Sequence, residues 1–242
     1  MSNSNLPYKR VLLKISGEAF IGQNGFGLAT NSCLALANAL KEMHLAGLEV
    51  ALVIGGGNIF RGINLKDLGM ARTPADQIGM LATLINGIAL QEALVSQYCK
   101  VKLMSALDCP KVAESYNWGK AMESLAAGQI VIFVGGTGNP YFTTDTAAAL
   151  RACEIEADIL LKATKVDGIY NKDPLKYPDA KKYDTIEYSK ILNDKLEVMD
   201  STSIALCRNN QIPILVFNMQ KLYNHQISLV LAEHQGTLVT GA

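Results

Sequence analysis

The chain has no excess charge of either sign. Lysine plus arginine number 22 and aspartate plus glutamate 22 in 242 residues, so no broad basic field exists to collect nucleic acid. An anionic ligand has to be held by a few placed cations and by backbone amides. Metal-binding and cross-linking residues are sparse as well. The five cysteines (Cys33, Cys99, Cys109, Cys153, Cys207) contain no C-x-x-C pair, and the three histidines (His44, His225, His234) are scattered. That pattern suggests neither a zinc site nor a disulfide scaffold, and it places the chain in a reducing cytoplasm. The histidines read as structural or solvent-facing. Long hydrophobic runs are missing too. After the polar segment Met1–Arg10 the apolar run is only Val11–Ile15, a strand and too short for a signal-peptide core. Ile78–Val95 is broken by Thr83, Asn86, Gln91 and Glu92, which argues against a membrane span. No repeat, low-complexity tract or clear linker divides residues 1–242, so a single domain is expected.

What is present is a compact, apolar-rich pattern, 49% hydrophobic and 18% charged. Short β-rich runs recur at Val11–Ile15, Val50–Ile54, Val101–Met104, Ile130–Val134, Ile159–Leu161 and Ile214–Phe217. Near-continuous apolar runs of this length are the mark of strands covered on both faces. Helical patterns lie between them. Cys33, Leu36, Ala37, Leu40 and Met43 fall at helical spacing, with Asn31 or Ser32 as cap and Gly47 as terminator. A second helix opens at Thr73-Pro74 with Ile78, Leu81, Ala82, Ile85 and Ala89 on one face. The alternation predicts an α/β fold with a mostly parallel sheet. Val166–Tyr188, rich in Gly, Pro, Asp, Lys and Tyr, reads as a loop or hairpin excursion over a binding surface.

Three of the strands run into glycine-rich loops. Lys14 and Ser16-Gly17-Glu18 follow the first, and Gly55-Gly56-Gly57-Asn58 with Arg61 follows the second. Gly135-Gly136-Thr137-Gly138-Asn139-Pro140-Tyr141-Phe142-Thr143-Thr144-Asp145 follows Ile130–Val134 and leads into a helical pattern. Glycine lets a backbone approach phosphate oxygens closely, and successive N–H groups at a helix N-terminus form an anion nest. No G-x-x-x-x-G-K-[ST] occurs, which excludes a Walker-type ATPase. The dinucleotide pattern G-x-G-x-x-G fails at Phe60 and at Tyr141. Several phosphate loops in one domain suggest two phosphorylated ligands meeting head to head, the geometry of phosphoryl transfer.

Each singled-out residue also has an ordinary structural reading. Lys14 could carry its ammonium out to solvent, although its place before Ser-Gly favours phosphate. Arg61 could be a surface charge, or a forked donor to phosphate. Asp76 could complete a helix start with Thr73. Asp145 and Asp200 each open a helical pattern, where carboxylates are common for electrostatic reasons alone. Lys162 and Lys165 could be a solvated strand end or two more cations for phosphate.

Taken in order, these words resemble the bacterial uridylate (UMP) kinases of the amino acid kinase superfamily. The likeness runs from about Lys9 to Thr240. It is carried by Leu13-Lys14-Ile15-Ser16-Gly17-Glu18, Ile54 to Gly62, Gly79-Met80-Leu81-Ala82-Thr83, Gly136 to Asp145, and Leu161 to Gly168, with Phe217-Asn218-Met219 and Gly236-Thr237-Leu238. The resemblance implies a three-layer sandwich around the sheet, transfer of a phosphoryl group from ATP to UMP in pyrimidine and CTP biosynthesis, Mg²⁺ carried mainly by the ATP phosphates, and a homohexamer. Residues from about 151 to 242 would form most of the ATP site, and the N-terminal part the acceptor site and oligomer contacts. The ATP side would use Lys14, Ile15, Ser16, Gly17, Gly57, Arg61, Thr164, Tyr170 and Asp173. The UMP side would use Gly56, Asp76 (at the ribose), and Thr137, Gly138, Asn139, Pro140, Tyr141, Phe142, Thr143 and Thr144. Lys14, Arg61, Asp145 and Asp200 would be catalytic, the two aspartates organising magnesium, lysine and the transferring phosphoryl.

The resemblance also implies allosteric control, with UTP as a feedback inhibitor and, in many relatives, GTP as an activator held by arginines and a histidine. Here the matching positions carry Gln91, Val95, Lys102 and Gln129, while Trp118 and the glycine-rich stretch Gly22–Gly27 remain. Weak or absent GTP activation is expected. Two other readings stay open on residues alone: a sister kinase for carbamate or a carboxylate, and a nucleotide-binding regulator that has lost catalysis.

Overall fold

The computed structural model describes residues 6–22, 25–60, 69–196 and 198–241. In chain order its strands are β1 (Arg10–Ile15), β2 (Glu49–Ile54), β3 (Val101–Ser105), β4 (Glu114–Ser115), β5 (Ile130–Val134), β6 (Ile159–Thr164), β7 (Thr185–Glu187), β8 (Ile214–Asn218) and β9 (Thr237–Thr240). The helices are α1 (Thr30–Leu45), α2 (Gly57–Phe60), α3 (Arg72–Val95), α4 (Trp118–Ala126), α5 (Thr144–Glu154), α6 (Tyr188–Asn193), α7 (Ser201–Asn209), α8 (Gln220–Tyr223) and α9 (Ile227–Glu233).

The nine strands form one sheet in the order β4-β3-β5-β2-β1-β6-β8-β9-β7. Every neighbouring pair is parallel except β8–β9. Helices cover both faces, so both faces of the central strands are apolar and the runs appear continuous in sequence. Residues alternate between two cores. Val11, Leu13 and Ile15 of β1 pack with residues of α1, α3, α8 and α9. Leu12 packs on the other side with residues of α4, α5, α6 and α7. This is the expected three-layer α/β sandwich.

Four consecutive strands, β5-β2-β1-β6, end side by side and run the same way. Their C-terminal ends carry the three glycine loops and the segment beginning at Thr164. Open parallel sheets bind ligands at that edge.

Some local expectations need correction. α1 starts at Thr30 with Ala29 as a cap that makes no side-chain bond, so neither Asn31 nor Ser32 caps it. The Ser32 hydroxyl instead donates to Ile21 O at 3.1 Å. α3 starts at Arg72, and its inner face is Met80, Leu84, Gly87, Leu90 and Leu94 with Thr83 and Asn86. Of the stripe expected to be inside, Ala82 is buried, while Leu81 and Ile85 are 47% and 45% exposed. This helix is apolar nearly all round, so its period allowed two inner faces. Gly87 decides between them: a Cβ there would lie 2.5 Å from Val134 Cγ1, so the bare backbone packs on β5. α3 is long and apolar enough to cross a membrane by length and composition, and half of that window is buried inside the fold. The excursion from Val166 to Tyr188 contains an antiparallel bridge between Tyr170 and Lys182 and ends in edge strand β7.

Candidate active site

Alternation along two strands sets up the centre of the site. Lys14 follows Leu12 on the face of β1 that meets α5, and Lys162 follows Leu160 on the same face of β6. The strands pair with Lys14 directly opposite Lys162. Both ammonium groups meet Asp145 in the first turn of α5. Lys14 Nζ lies 2.7 Å from Asp145 Oδ1, and Lys162 Nζ donates to Oδ1 and Oδ2 at 2.6 Å each. All three side chains are largely buried. Burial pulls the Asp145 carboxyl upward, but the two lysines outweigh it and hold its pKa below the ordinary value. Burial, then repulsion from Lys14, brings Lys162 down to about 8 against the attraction of Asp145. Two cations and one anion leave a net positive centre, which suits an anionic ligand.

The N-terminus of α5 is fixed by hydroxyls. Thr143 Oγ1 accepts the N–H groups of Asp145 and Thr146 at 3.0 and 3.3 Å. It donates to Asp200 Oδ2 at 2.6 Å, and the Thr146 hydroxyl also reaches Asp200, at 2.9 Å. Asp200 in turn caps α7 by accepting the Ser203 N–H at 2.9 Å. It therefore ties the starts of α5 and α7 together.

A cleft of about 400 Å³ opens on one side. Of the residues expected at the acceptor, Gly56, Asp76, Asn139, Phe142, Thr143 and Thr144 line it, and so does Gly57, which was expected on the ATP side. Ala75, Gly79, Met80, Thr83 and Gly136 complete the wall. Gly136 and Gly138 have φ of 59° and 81°, which lets the loop curl tightly, with the Gly138 N–H bonded to Gly135 O at 2.9 Å. Tyr141 adopts φ 73°, unfavourable for a bulky residue. Its N–H donates to Asp76 Oδ2 at 2.7 Å, and the Arg72 guanidinium stacks 4.7 Å from the ring centroid. Asp76 thus anchors the loop across the cleft. The cap of α3 is Ala71, without a side-chain bond, so Asp76 completes no capping box with Thr73; its Oδ2 also lies 3.5 Å from Arg72 Nε in the first turn.

On the other side lie two adjoining clefts. One of about 390 Å³ is lined by Lys14, Ser16, Lys162, Thr164 and Lys165 among others. The second, about 510 Å³, is lined by Lys162, Thr164, Tyr170, Lys172, Asp173, Lys195 and neighbours. Lys162 and Thr164 belong to both. Ser16 Oγ accepts the Glu18 N–H in the turn Gly17–Phe20, while Ile15 is fully buried and offers only its backbone. A Cβ on Gly17 would come within 2.5 Å of Asn58 Oδ1, so glycine is required for the first two loops to touch. Lys165 pairs with Glu18 of the same cleft, 2.6 Å off. Arg61 lies outside the described residues.

Lys162 is the residue whose centrality the sequence reading left undecided. Its signal was available in the matching pairs Leu12/Lys14 and Leu160/Lys162, but becomes decisive only when the strand register is known. The donors suited to a divalent cation are already engaged: both oxygens of Asp145 by lysines, and those of Asp200 by hydroxyls and an amide. Among the described residues no group of three or more His, Cys, Asp or Glu could hold a metal ion. A magnesium ion suits this site as a partner of nucleotide phosphates rather than of a protein carboxylate cage.

Fold and site together define an α/β scaffold with a paired-lysine centre and clefts at the C-terminal ends of its central strands. The amino acid kinase family matches residues 9–218, and the chain belongs to it. It is 63% identical over 232 residues to a uridylate kinase of Protochlamydia amoebophila, covering 96% of this chain and 92% of that protein. A uridylate kinase of Magnetococcus marinus is 55% identical over 211 residues, 87% of this chain and 88% of the other. Among solved structures, the UMP kinase from Bacillus anthracis aligns with a TM-score of 0.90 at 37% identity, over 97% of this chain and 96% of that one. The UMP kinase from Ureaplasma parvum gives 0.89 at 37% identity, over 97% and 100%.

Proposed function

We propose that this protein is a uridylate kinase that transfers the γ-phosphoryl group of Mg-ATP to UMP, forming UDP and ADP for pyrimidine nucleotide and CTP synthesis. The observation that carries the reading is the Lys14–Asp145–Lys162 centre, set between a cleft walled by glycine loops and a pair of clefts at β6. UMP occupies the first cleft, with the ribose toward Asp76 and the base near Thr144. ATP occupies the others, with its base and ribose toward Tyr170 and Asp173 and its phosphates along Ser16 and Gly17.

A UMP phosphate oxygen attacks the γ-phosphorus in line, the bond to the β–γ bridging oxygen breaks, and ADP leaves with the electron pair. The attacking oxygen is already anionic near neutral pH, so no general base is needed. Lys14 and Lys162 offset charge on the transferring group, and Asp145 holds both ammonium groups in place. Asp200 fixes the start of α5, and Arg61 adds a cation to the phosphates. Magnesium, when bound with the triphosphate, would supply charge neutralisation on its phosphates.

The protein acts in the cytoplasm as one unit over residues 1–242, assembled as a homohexamer. Self-association is supported by the outward stripe Leu81, Ile85, Ile88 and Val95 on α3, whose members are 36–49% exposed. UTP is a feedback inhibitor. GTP activates weakly or not at all, because a triphosphate needs cations and the matching positions carry Gln91, Val95 and Gln129, while Lys102 Nζ is paired with Glu114 Oε2 at 2.5 Å. Initial rates at sub-saturating UMP with and without GTP test this, and several-fold stimulation would refute it.

The function itself is tested by ADP release from Mg-ATP with UMP, CMP, dUMP, carbamate, glutamate or aspartate as acceptor. Turnover confined to UMP is expected. Turnover on a small acceptor would remove the ribose and uracil assignments and keep the lysine centre. No turnover on any acceptor, with ATP still bound, would favour a non-catalytic regulator.

A further inference from the structure

The inner face of α3 carries polar groups that the transfer chemistry does not use, and they reach the backbone of the glycine loops. Thr83 Oγ1 accepts the Gly135 N–H at 2.7 Å and donates to Met80 O at 2.6 Å. Less than one turn further along, Asn86 Nδ2 donates to Gly55 O at 2.7 Å. The Asn86 and Asn58 amides pair at 2.7 and 2.8 Å, and Asn58 Nδ2 also reaches Gly27 O at 2.9 Å. Gly17 rests on the same Asn58 amide. The loops after β1, β2 and β5 are therefore all referred to one short stretch of one helix.

Core filling alone does not call for such groups. Thr83 and Asn86 are 1% and 0% exposed, where valine and leucine would fill similar space without any polar atom to satisfy. A buried polar group that loses its partner is costly, so each of these bonds holds its loop to a narrow range of positions. Those loops wall the acceptor cleft and meet the ATP side at Gly17.

We infer that Thr83 and Asn86 are positioning residues of the transfer reaction, locking the Gly135–Asn139 and Gly55–Asn58 loops to each other through α3 so that the two phosphates meet in line. The inference rests on the phosphoryl-transfer reading. It assigns the two residues different reach. Thr83 holds only the loop of the acceptor cleft, whereas Asn86 acts through Gly55 and Asn58 on both nucleotides.

The test uses the full chain with Thr83→Val, Thr83→Ser and Asn86→Asp, measuring kcat and KM for both nucleotides beside melting temperature. Thr83→Val keeps the shape and deletes the acceptor of the Gly135 N–H. It lowers kcat/KM for UMP on the order of 10–10²-fold, the scale of a displacement of about 1 Å at a reacting centre, and leaves KM for ATP unchanged. Thr83→Ser restores the bond and most of the activity. Asn86→Asp removes the donor to Gly55 O and raises KM for both nucleotides. Should Asn86→Asp fail to fold, the Thr83 pair still decides. A Thr83→Val enzyme that melts lower but keeps wild-type kinetics overturns the inference, as does an equal loss in Thr83→Ser. If the wild type does not phosphorylate UMP, the functional reading fails by itself. Calorimetric affinities of Thr83→Val and Thr83→Ser for UMP and ATP then judge the positioning role: weakened UMP binding in the valine variant alone supports it, and equal affinities overturn it.

Discussion

Replacing Lys14 with alanine lowers kcat for UMP phosphorylation by ~10²–10³, the usual scale for losing one electrostatic stabiliser of a transition state. The ammonium sits at the end of β1, buried and 2.7 Å from Asp145, and it also lines the cleft at β6. In the proposed transfer it stands where charge develops, so its loss should fall on kcat and kcat/KM together, with modest change in KM. The fold should survive, because Asp145 keeps Lys162 on both oxygens and stays ionised. A melting curve near that of the wild type would separate lost chemistry from lost structure. Near-normal turnover in a folded Lys14→Ala protein would mean that Lys14 does not stabilise the transferring phosphoryl. Lys162→Ala provides the comparison: with the two ammonium groups sharing one carboxylate, neither loss can be repaired by the other, and both variants should fall in the same range.

Much of this arrangement was legible in the sequence, and what escaped has identifiable causes. The six central and flanking strands were visible because burial on both faces writes them as unbroken apolar runs, such as Ile130–Val134. β4, β7 and β9 have two to four residues and only partly buried patterns. They exist because an edge is available to pair with, which no local signal announces. The glycine loops declared an anion site by composition. Their wiring to α3 did not show, since Thr83 and Asn86 stand in the sequence as interruptions of an apolar helix, and nothing local points either one at a loop. Lys162 needed the register of β1 against β6, and Asp76 needed the position of Tyr141, 65 residues away. Contacts made across the sheet are set by tertiary packing, and periodicity contains no record of them.

Asp145→Asn should be the most destabilising single change at the centre. Asparagine has nearly the same shape but removes the one negative charge facing two buried ammonium groups. Breaking a buried ion pair from one side costs about 3–5 kcal/mol at neutral pH. For a chain of this size that is a drop in melting temperature on the order of 10 °C. The deficit should also depend on pH with a definite sign. In the wild type, burial and Lys14 hold Lys162 at about 8, below its ordinary 10.5. Between those values the unfolded chain binds more protons than the folded one, so this group adds stability as pH rises through that window. The lowered Asp145 contributes with the same sign in a more acidic window, its stability being present above the ordinary carboxylate range and lost as pH falls below it. In the variant the carboxylate contribution is gone. Lys162, without its counterion, is pushed further down, and the gain on raising pH becomes larger. Melting both proteins from pH 6 to 10 should therefore show the gap narrowing as Lys162 discharges. A second substitution, Lys162→Met on top of Asp145→Asn, should recover part of the loss at neutral pH, since an apolar chain removes one stranded charge. A pH-independent deficit, or a double variant no more stable than Asp145→Asn alone, would show that shape rather than charge holds this centre together.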